Sequence, residues 1–239
     1  MDSVESALAA QQGGAARIEL CSNLIIGGTT PGTSLFEEIR SVSDIRTHVL
    51  IRPRFGDFCY TEYEFRVIRR EVRKFRELKA DGVVIGILRP DGSLDKERMK
   101  LLMEDAGDLS VTLHRAFDVC ADPFQTLEDA RELGIRTILT SGQENDCLAG
   151  KELLRELVKR EHGDLTIMVG SGVDAETIRI LQPYTGARAF HMSGKTTLPS
   201  SMAYRKSGVS MGLPAFSEFE IIRTEQAKIR AACDVLEAL

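Results

Sequence analysis

Short apolar segments recur along this chain at a nearly constant interval, and each ends in a polar or small residue. The segments are RIELC, HVLIR, GVVIG, SVTLH, TILT, TIMVG and RAFH. Their ends lie 21 to 34 residues apart, and patterns typical of helices fill the intervals. Strands that alternate with helices of ten or more residues predict parallel strands joined by right-handed crossovers. The spacing therefore predicts an α/β protein built on a parallel sheet.

Seven such strands in 239 residues fit a TIM-type (β/α)8 barrel that lacks its first strand. The chain begins with an Ala-rich helical pattern in which Asp2 and Glu5 have capping-box spacing, and no strand precedes it. An open, doubly wound sheet is the alternative, but the early Gly-rich turn typical of that fold is missing. No linker-like segment divides the chain, so we expect one barrel domain over residues 1–239, with its last helix from about Ser217.

A barrel without its first strand has a gap between the segments 17–21 and 187–192. Two unpaired sheet edges would face this gap, and exposed edges favour pairing with another chain. We therefore expect a homo-oligomer in which a second subunit covers these edges.

Charge and composition exclude several classes of partner. The net charge of −5 argues against nucleic acid or an anionic membrane, because both favour a basic surface. One basic cluster lies in a helical pattern with interleaved glutamates and is expected to be a solvated helix face: Arg66, Arg69, Arg70, Arg73, Lys74 and Arg76. No segment has the length and hydropathy of a membrane span or a signal peptide. The five cysteines lack CxxC and zinc spacing, so we expect reduced thiols in a cytoplasmic protein.

Barrel active sites lie at the carboxyl ends of the strands and in the loops that follow. Alternation along each strand predicts the last inward positions, which are Glu19, Cys21, Arg52, His114, Thr140 and His191. Buried charges are costly unless they are paired, so Glu19 and Arg52 indicate either a buried ion pair or a polar ligand. We interpret four of these residues as candidate catalytic groups, with proton transfer by the carboxylate and the imidazoles: Glu19, Arg52, His114 and His191.

Small and basic residues near the same strand ends predict an anion site. The loops GSG and SGK follow the last two strands, where many barrels bind phosphate through backbone N–H groups. The candidate anion-binding or substrate-binding residues are Arg54, Arg115, Asp118, Gly170, Ser171, Gly172, Ser193 and Gly194. Short glycine loops are also common as plain turns, and Asp118 could equally cap the helix that begins near Pro123. We expect no organic cofactor.

Cys21 offers a competing chemistry, because soft sulfur ligands select Cu(I) and this cysteine ends the first strand. Cys59 and Cys120 lie in loops on the same expected face and would complete a site if those loops fold inward. A lone cysteine at a strand end is more often a small buried hydrophobe. Cys21 is therefore the candidate metal ligand, with Cu(I) as the candidate ion.

The chain resembles the CutC family of copper homeostasis proteins in RIELCSNLIIGGTTP, IRPRFGDFCY, ADGVVIGIL, HRAFD, LTSG and FHMS, in that order. The resemblance runs from Asp2 to about Gly212. It implies a TIM-type barrel, a cytoplasmic location and a role in copper tolerance through Cu(I) binding, with Cys21 at the position of the family's cysteine. Family members begin with a short strand that carries the other candidate copper cysteine. Its absence indicates a misassigned start, a trimmed chain or an open barrel. MVGSG stands here where the family commonly has MPGGG, which keeps an anion loop possible.

Two functions are consistent with these residues. The first is CutC-like copper homeostasis, in which Cys21 and a partner sulfur bind Cu(I). The second is a TIM-barrel enzyme that performs acid/base chemistry on a small phosphorylated or carboxylated metabolite. A non-enzymatic scaffold is the third interpretation. The expected partner is a copper ion or a small anionic metabolite, and the sequence leaves open whether the protein is an enzyme.

Overall fold

The computed structural model describes residues 1–209, 211 and 216–239, so Gly212, where the family resemblance ends, lies outside the described residues. Seven parallel strands form one curled sheet in chain order. They are β1 (Arg17–Leu20), β2 (Arg46–Leu50), β3 (Gly82–Ile85), β4 (Ser110–Leu113), β5 (Thr137–Thr140), β6 (Thr166–Val169) and β7 (Ala189–Phe190). The sheet is the TIM-like half-barrel that the strand spacing predicts.

Eight α-helices of the described part alternate with these strands. They are α1 (Val4–Gly13), α2 (Thr33–Val42), α3 (Glu62–Glu77), α4 (Lys96–Ala106), α5 (Pro123–Glu132), α6 (Lys151–Val158), α7 (Ala175–Thr185) and α8 (Gln226–Ala238). None of the helices described here is long and apolar enough to cross a lipid bilayer.

Local sequence signals set the helix boundaries. α3 begins at a capping box, in which Thr61 Oγ1 accepts from the Glu64 N–H and the Glu64 carboxylate accepts from the Thr61 N–H. Its buried apolar side chains recur every three or four residues: Phe65, Ile68, Val72 and Phe75. α1 is capped by Ser3, whose Oγ accepts from the Ser6 amide, rather than by Asp2.

The two faces of the sheet have different roles. Side chains on the outer face belong to the main hydrophobic core beneath the helices, among them Ile18, Val49, Val83, Leu113 and Ile138. On the inner face, Cys21, Leu50 and Val84 form a small separate cluster. The core therefore lies between sheet and helices, and the inside of the curl is left for polar residues at the strand ends.

The expected gap in the barrel is present. Among the described residues, β1 pairs only with β2 and β7 only with β6, so the sheet is open between its first and last strands. Met1 lies along the free edge of β1, where its carbonyl accepts from the Cys21 N–H at 2.9 Å. α8 packs against both α1 and α7 and thereby closes the helix layer.

The last helix begins at Gln226, not near Ser217. The segment before it forms β9 (Glu220–Thr224), which pairs antiparallel with β8 (Lys195–Pro199). Adjacent β-branched residues, Ile221 and Ile222, favour the extended backbone. Pairing with β8 also satisfies backbone groups that a helix would otherwise satisfy internally. The sequence-based boundary was therefore wrong by about nine residues.

Candidate functional site

A cavity of about 1140 Å³ opens at the carboxyl ends of the parallel strands. The structure brings the four candidate catalytic residues to its wall: Glu19, Arg52, His114 and His191. Six of the eight candidate anion-binding residues also line it: Arg115, Asp118, Ser171, Gly172, Ser193 and Gly194. Cys21 lines the same cavity. The structure therefore brings these residues to one cavity, as the sequence predicts, while their functional roles stay predictions.

Arg52 carries a buried positive charge that pairs with no carboxylate among the described residues. Only 9% of the residue is exposed. Its guanidinium donates to carbonyl oxygens, through Nη1 to Gly28 at 3.2 Å and through Nη2 to Gly56 at 2.8 Å, and its Nε has no partner. The Glu19–Arg52 ion pair, one of the two alternatives that the sequence left open, is thus not formed. A guanidinium stays protonated in proteins, so the cavity wall holds a fixed and uncompensated charge.

His114 is held in one orientation directly after β4. Its Nδ1 accepts from the Ala116 N–H at 3.1 Å, and its ring stacks at a tilt on Phe58 with 4.8 Å between ring centroids. Nε2 is buried and has no partner within the described chain. Burial and, second, the charge of Arg52 lower the pKa of His114 to about 3. The ring is therefore neutral at ordinary pH and its Nε2 carries the proton, so His114 is placed as a hydrogen-bond donor rather than as a base.

Glu19 and His191 face each other across the gap between the first and last strands. His191 Nδ1 lies 3.9 Å from Glu19 Oε2, which is beyond hydrogen-bond length but close enough for electrostatic coupling. Burial lowers the pKa of His191, and the carboxylate of Glu19 opposes this shift. About a third of the His191 side chain is still exposed. Both side chains thus line the cavity as a coupled pair, and proton transfer by them stays a prediction.

Asp118 anchors Arg115 at the cavity rim. Its carboxylate accepts from Arg115 Nε at 2.6 Å, from the Ser141 N–H at 3.0 Å and from the Gln143 N–H at 3.2 Å. These bonds tie the turn after β4 to the loop after β5. Asp118 does not cap α5, since Asp122 accepts from the first amides of that helix. Arg115 is consequently held at the cavity wall by Asp118 and by Ser141, to whose Oγ its Nη2 donates at 2.9 Å.

The glycine loops after β6 and β7 contain backbone N–H groups that have no partner in the part of the chain that the structure describes. Within the described residues, the amides of Gly172, Val173, Ser193 and Gly194 donate to no other backbone group or side chain. Gly172 and Gly194 have φ of +75° and +54°, the left-handed region that favours glycine. Lys195 and Lys228 line this side of the cavity as well. The arrangement suits an anion held by amides and ammonium groups.

Cys21 is buried beside the free edge of β1. Its Sγ donates to the Met1 carbonyl at 3.6 Å, and burial raises the pKa of the thiol above its usual value. Met1 and Met192 line the same cavity, so three sulfur-bearing side chains share it. Cys59 and Cys120 do not line the cavity wall. No cluster of three or more His, Cys, Asp and Glu side chains that could hold a metal occurs in the part of the chain that the structure describes.

Three sequence-based placements differ from the structure. Leu139, not Thr140, faces the cavity, and Thr140 Oγ1 instead donates to Asp118. Arg54 does not line the cavity, because its Nε donates to Glu64 at 2.6 Å and its Nη2 to Asp57 at 2.9 Å. Gly170 does not line the cavity, since it lies behind Leu139, whose Cδ1 would be 2.5 Å from an added Cβ.

Phe58 is a site residue that the sequence did not single out. Its ring lies under the Arg52 guanidinium, with 5.1 Å between Cζ and the ring centroid, and also against His114. Phe58 sits in a loop, where no periodic pattern marks the side that a residue faces. Its position within the GDFCY motif of the resemblance was the only signal available.

These observations define a class of protein, a parallel α/β half-barrel with a polar ligand cavity at the carboxyl ends of its strands. The profile of the CutC family matches residues 1–196, and the chain belongs to that family. A CutC family protein from Parabacteroides distasonis is 45% identical over 232 residues, which cover 96% of each chain. A human relative, named copper homeostasis protein cutC homolog, is 40% identical over 96% of this chain and 85% of its own.

Solved structures agree with this assignment. A crystal structure of a CutC protein from Streptococcus agalactiae matches with a TM-score of 0.71 and 32% identity, covering 74% of this chain and 87% of that chain. Thiamine phosphate pyrophosphorylase from Pyrococcus furiosus matches with a TM-score of 0.56 at 15% identity, covering 98% of this chain and 89% of that chain. The second likeness concerns the fold alone.

Proposed function

We propose that this protein is an enzyme that binds a small carboxylated or phosphorylated metabolite in the strand-end cavity and acts on it by acid/base chemistry. The buried guanidinium of Arg52 carries the proposal. Arg52 is only 9% exposed, and among the described residues its guanidinium donates only to neutral carbonyl oxygens. Such a buried charge is expensive unless a ligand supplies the missing negative charge.

The remaining groups have complementary places in this proposal. Arg52, Arg115 and the amides of the two glycine loops would hold the anionic groups of the metabolite. Glu19 and His191, which line the same cavity, would accept and return protons. The cavity is large enough for a metabolite of this kind.

Replacing Arg52 tests the anion site. We expect Arg52→Met to weaken the binding of malonate and inorganic phosphate about tenfold or more, because a charge-assisted hydrogen bond contributes about 1.5 to 3 kcal/mol. Isothermal titration calorimetry measures the binding, and circular dichroism verifies the fold. Arg54→Met is the matched control, since Arg54 lies two residues away and outside the cavity. Equal affinity of the wild type and Arg52→Met for malonate and phosphate would contradict the proposal.

Copper handling is the second candidate function. It is favoured by the three sulfur-bearing residues on the cavity wall and by the names of relatives that are called copper homeostasis proteins. Cys21 would supply a thiolate and Met1 or Met192 a thioether, a donor set that suits Cu(I). Copper is then a cargo or ligand of the same cavity, and a cytoplasmic, homo-oligomeric protein is proposed with either function.

A Cu(I) titration tests this candidate. Because burial raises the pKa of Cys21, its thiol is protonated in the free protein, and Cu(I) binding should release one proton. We expect one tight equivalent that Cys21→Ser loses, measured in competition with a Cu(I)-specific chromophoric chelator. Cys233→Ser is the control, since Cys233 lies on α8 and does not line the cavity. Unchanged stoichiometry in Cys21→Ser would exclude Cys21 as the ligand.

A further inference from the structure

The proton on His114 occupies a defined nitrogen. The Ala116 amide donates to Nδ1 from two residues further along the chain, so the neutral ring must carry its hydrogen on Nε2. Nε2 is buried and has no partner among the residues described, and His114 itself is 5% exposed and lines the cavity. Leaving a buried donor unpaired is unfavourable, which indicates that a ligand atom accepts this hydrogen bond.

The surroundings of His114 fix the direction of this donor. The ring lies directly over Gly86, the residue that follows β3, where an added Cβ would come within 2.7 Å of Nδ1 and Cε1. Phe58 packs against the ring at an interplanar angle of 44° and also lies under the guanidinium of Arg52. His114 and Arg52 therefore flank one small region of the cavity, and neither can swing away without losing the shared aromatic contact.

We infer that His114 Nε2–H and Arg52 together bind the oxygen of a substrate carbonyl and stabilise the oxyanion that forms on it. This inference rests on the proposed enzymatic function and names its substrate class, a carboxylated or phosphorylated aldehyde, ketone or 2-oxo acid. A neutral imidazole is a suitable electrophile because it donates a hydrogen bond without giving up its proton at neutral pH.

The reaction class that follows is proton removal from the carbon next to the carbonyl. A base that also lines the cavity, Glu19 or His191, takes the proton. The electron pair of the broken C–H bond forms the new C=C bond, and the carbonyl π electrons move to the oxygen. The resulting enolate oxygen is held by His114 and Arg52 until a proton returns to carbon. Atoms and charge balance without an oxidant, a reductant or a further co-reactant.

Oxalate and malonate separate this inference from simple anion binding. Both are dicarboxylates, but oxalate can adopt the planar form of an enolate, with its oxygens on adjacent carbons. We expect the wild-type protein to prefer oxalate about tenfold, and His114→Leu to abolish this preference, because one hydrogen bond to a charged group is lost. Calorimetry measures both affinities. His114→Gln places an amide N–H near the position of Nε2 and should restore part of the preference.

The possible outcomes are distinguishable. If the wild-type protein binds neither dianion at millimolar concentration, the proposed anion site fails, and this inference fails with it. If it binds both dianions equally, or if His114→Leu keeps the preference for oxalate, only the role of His114 is overturned. Nitrogen-15 NMR of the histidine-labelled protein tests independently which ring nitrogen of His114 carries the proton. A proton on Nε2 from pH 5 to 8 supports the inference, and a proton on Nδ1 or a titration near neutrality overturns it.

Discussion

Asp105 is a buried carboxylate that joins α3 to α4. It accepts from Arg69 Nε at 2.6 Å and from Arg73 Nε at 2.8 Å, and its side chain is 8% exposed. Burial raises the pKa of this carboxyl, but the hydrogen bonds and charges of the two arginines outweigh burial, so the pKa lies below its ordinary value of 3.8. The ionised form is therefore favoured by folding.

The pH dependence of stability should show this pairing. A carboxyl whose pKa is lower in the folded protein contributes its full stability above the unfolded value and loses it as the pH falls through the folded value. We expect Asp105→Asn to lower the free energy of unfolding by about 1.5 to 3 kcal/mol at pH 7. Urea denaturation at pH 7 and at pH 3 should show the difference from the wild type shrinking at the lower pH. A difference that does not change with pH would contradict the pairing.

The sequence predicted only part of this residue-scale picture. It indicated that the basic cluster of α3 is a helix face, and residues such as Arg66 do lie on its surface. It did not indicate that Arg69 and Arg73 point to a carboxylate on the next helix, because the partner lies more than thirty residues away. Arg52 and His114 were recognised because strand alternation fixes the side to which a strand-end residue points. Phe58, which supports both, follows no such period.

Elements were predictable where their signals are local. Caps, apolar periodicity and Pro or Gly stops gave the seven strands and most helix positions without knowledge of the fold. The pair β8 and β9 was missed because it joins residues that lie 21 (Pro199 and Glu220) to 29 (Lys195 and Thr224) positions apart in the sequence. β5 shows a different failure. Its sequence TILT places two apolar residues side by side, so alternation cannot decide whether Ile138 or Leu139 faces the helices. The packing decides, and it places Ile138 in the outer core.

On the scale of the whole molecule, Ile229 connects the closure of the barrel to its cavity. This α8 residue lies against Gly13 at the end of α1, where an added Cβ would come within 2.6 Å of Ile229 Cβ. Its Cδ1 lies equally close to Gly194 on the cavity rim, at 2.7 Å from the position of an added Cβ. α8, which packs against α1 and α7 beside the gap in the sheet, thus also supports one of the two glycine loops.

Gly13→Ala tests this connection. The new methyl group must displace the backbone-near part of Ile229, and overpacking of this kind costs about 1 to 3 kcal/mol, more than the helix propensity that alanine gains. Urea denaturation should therefore show lower stability, and calorimetry should show weaker phosphate binding because the Gly194 loop moves with Ile229. Gly32→Ala is the control, since it is the residue before α2, has an ordinary φ of −66° and meets no atom within 4 Å. A destabilised Gly13→Ala protein with unchanged phosphate affinity would show that the packing of α8 on α1 does not affect the cavity. Equal stability of the Gly13→Ala and Gly32→Ala proteins would show that α1 and α8 do not pack this closely.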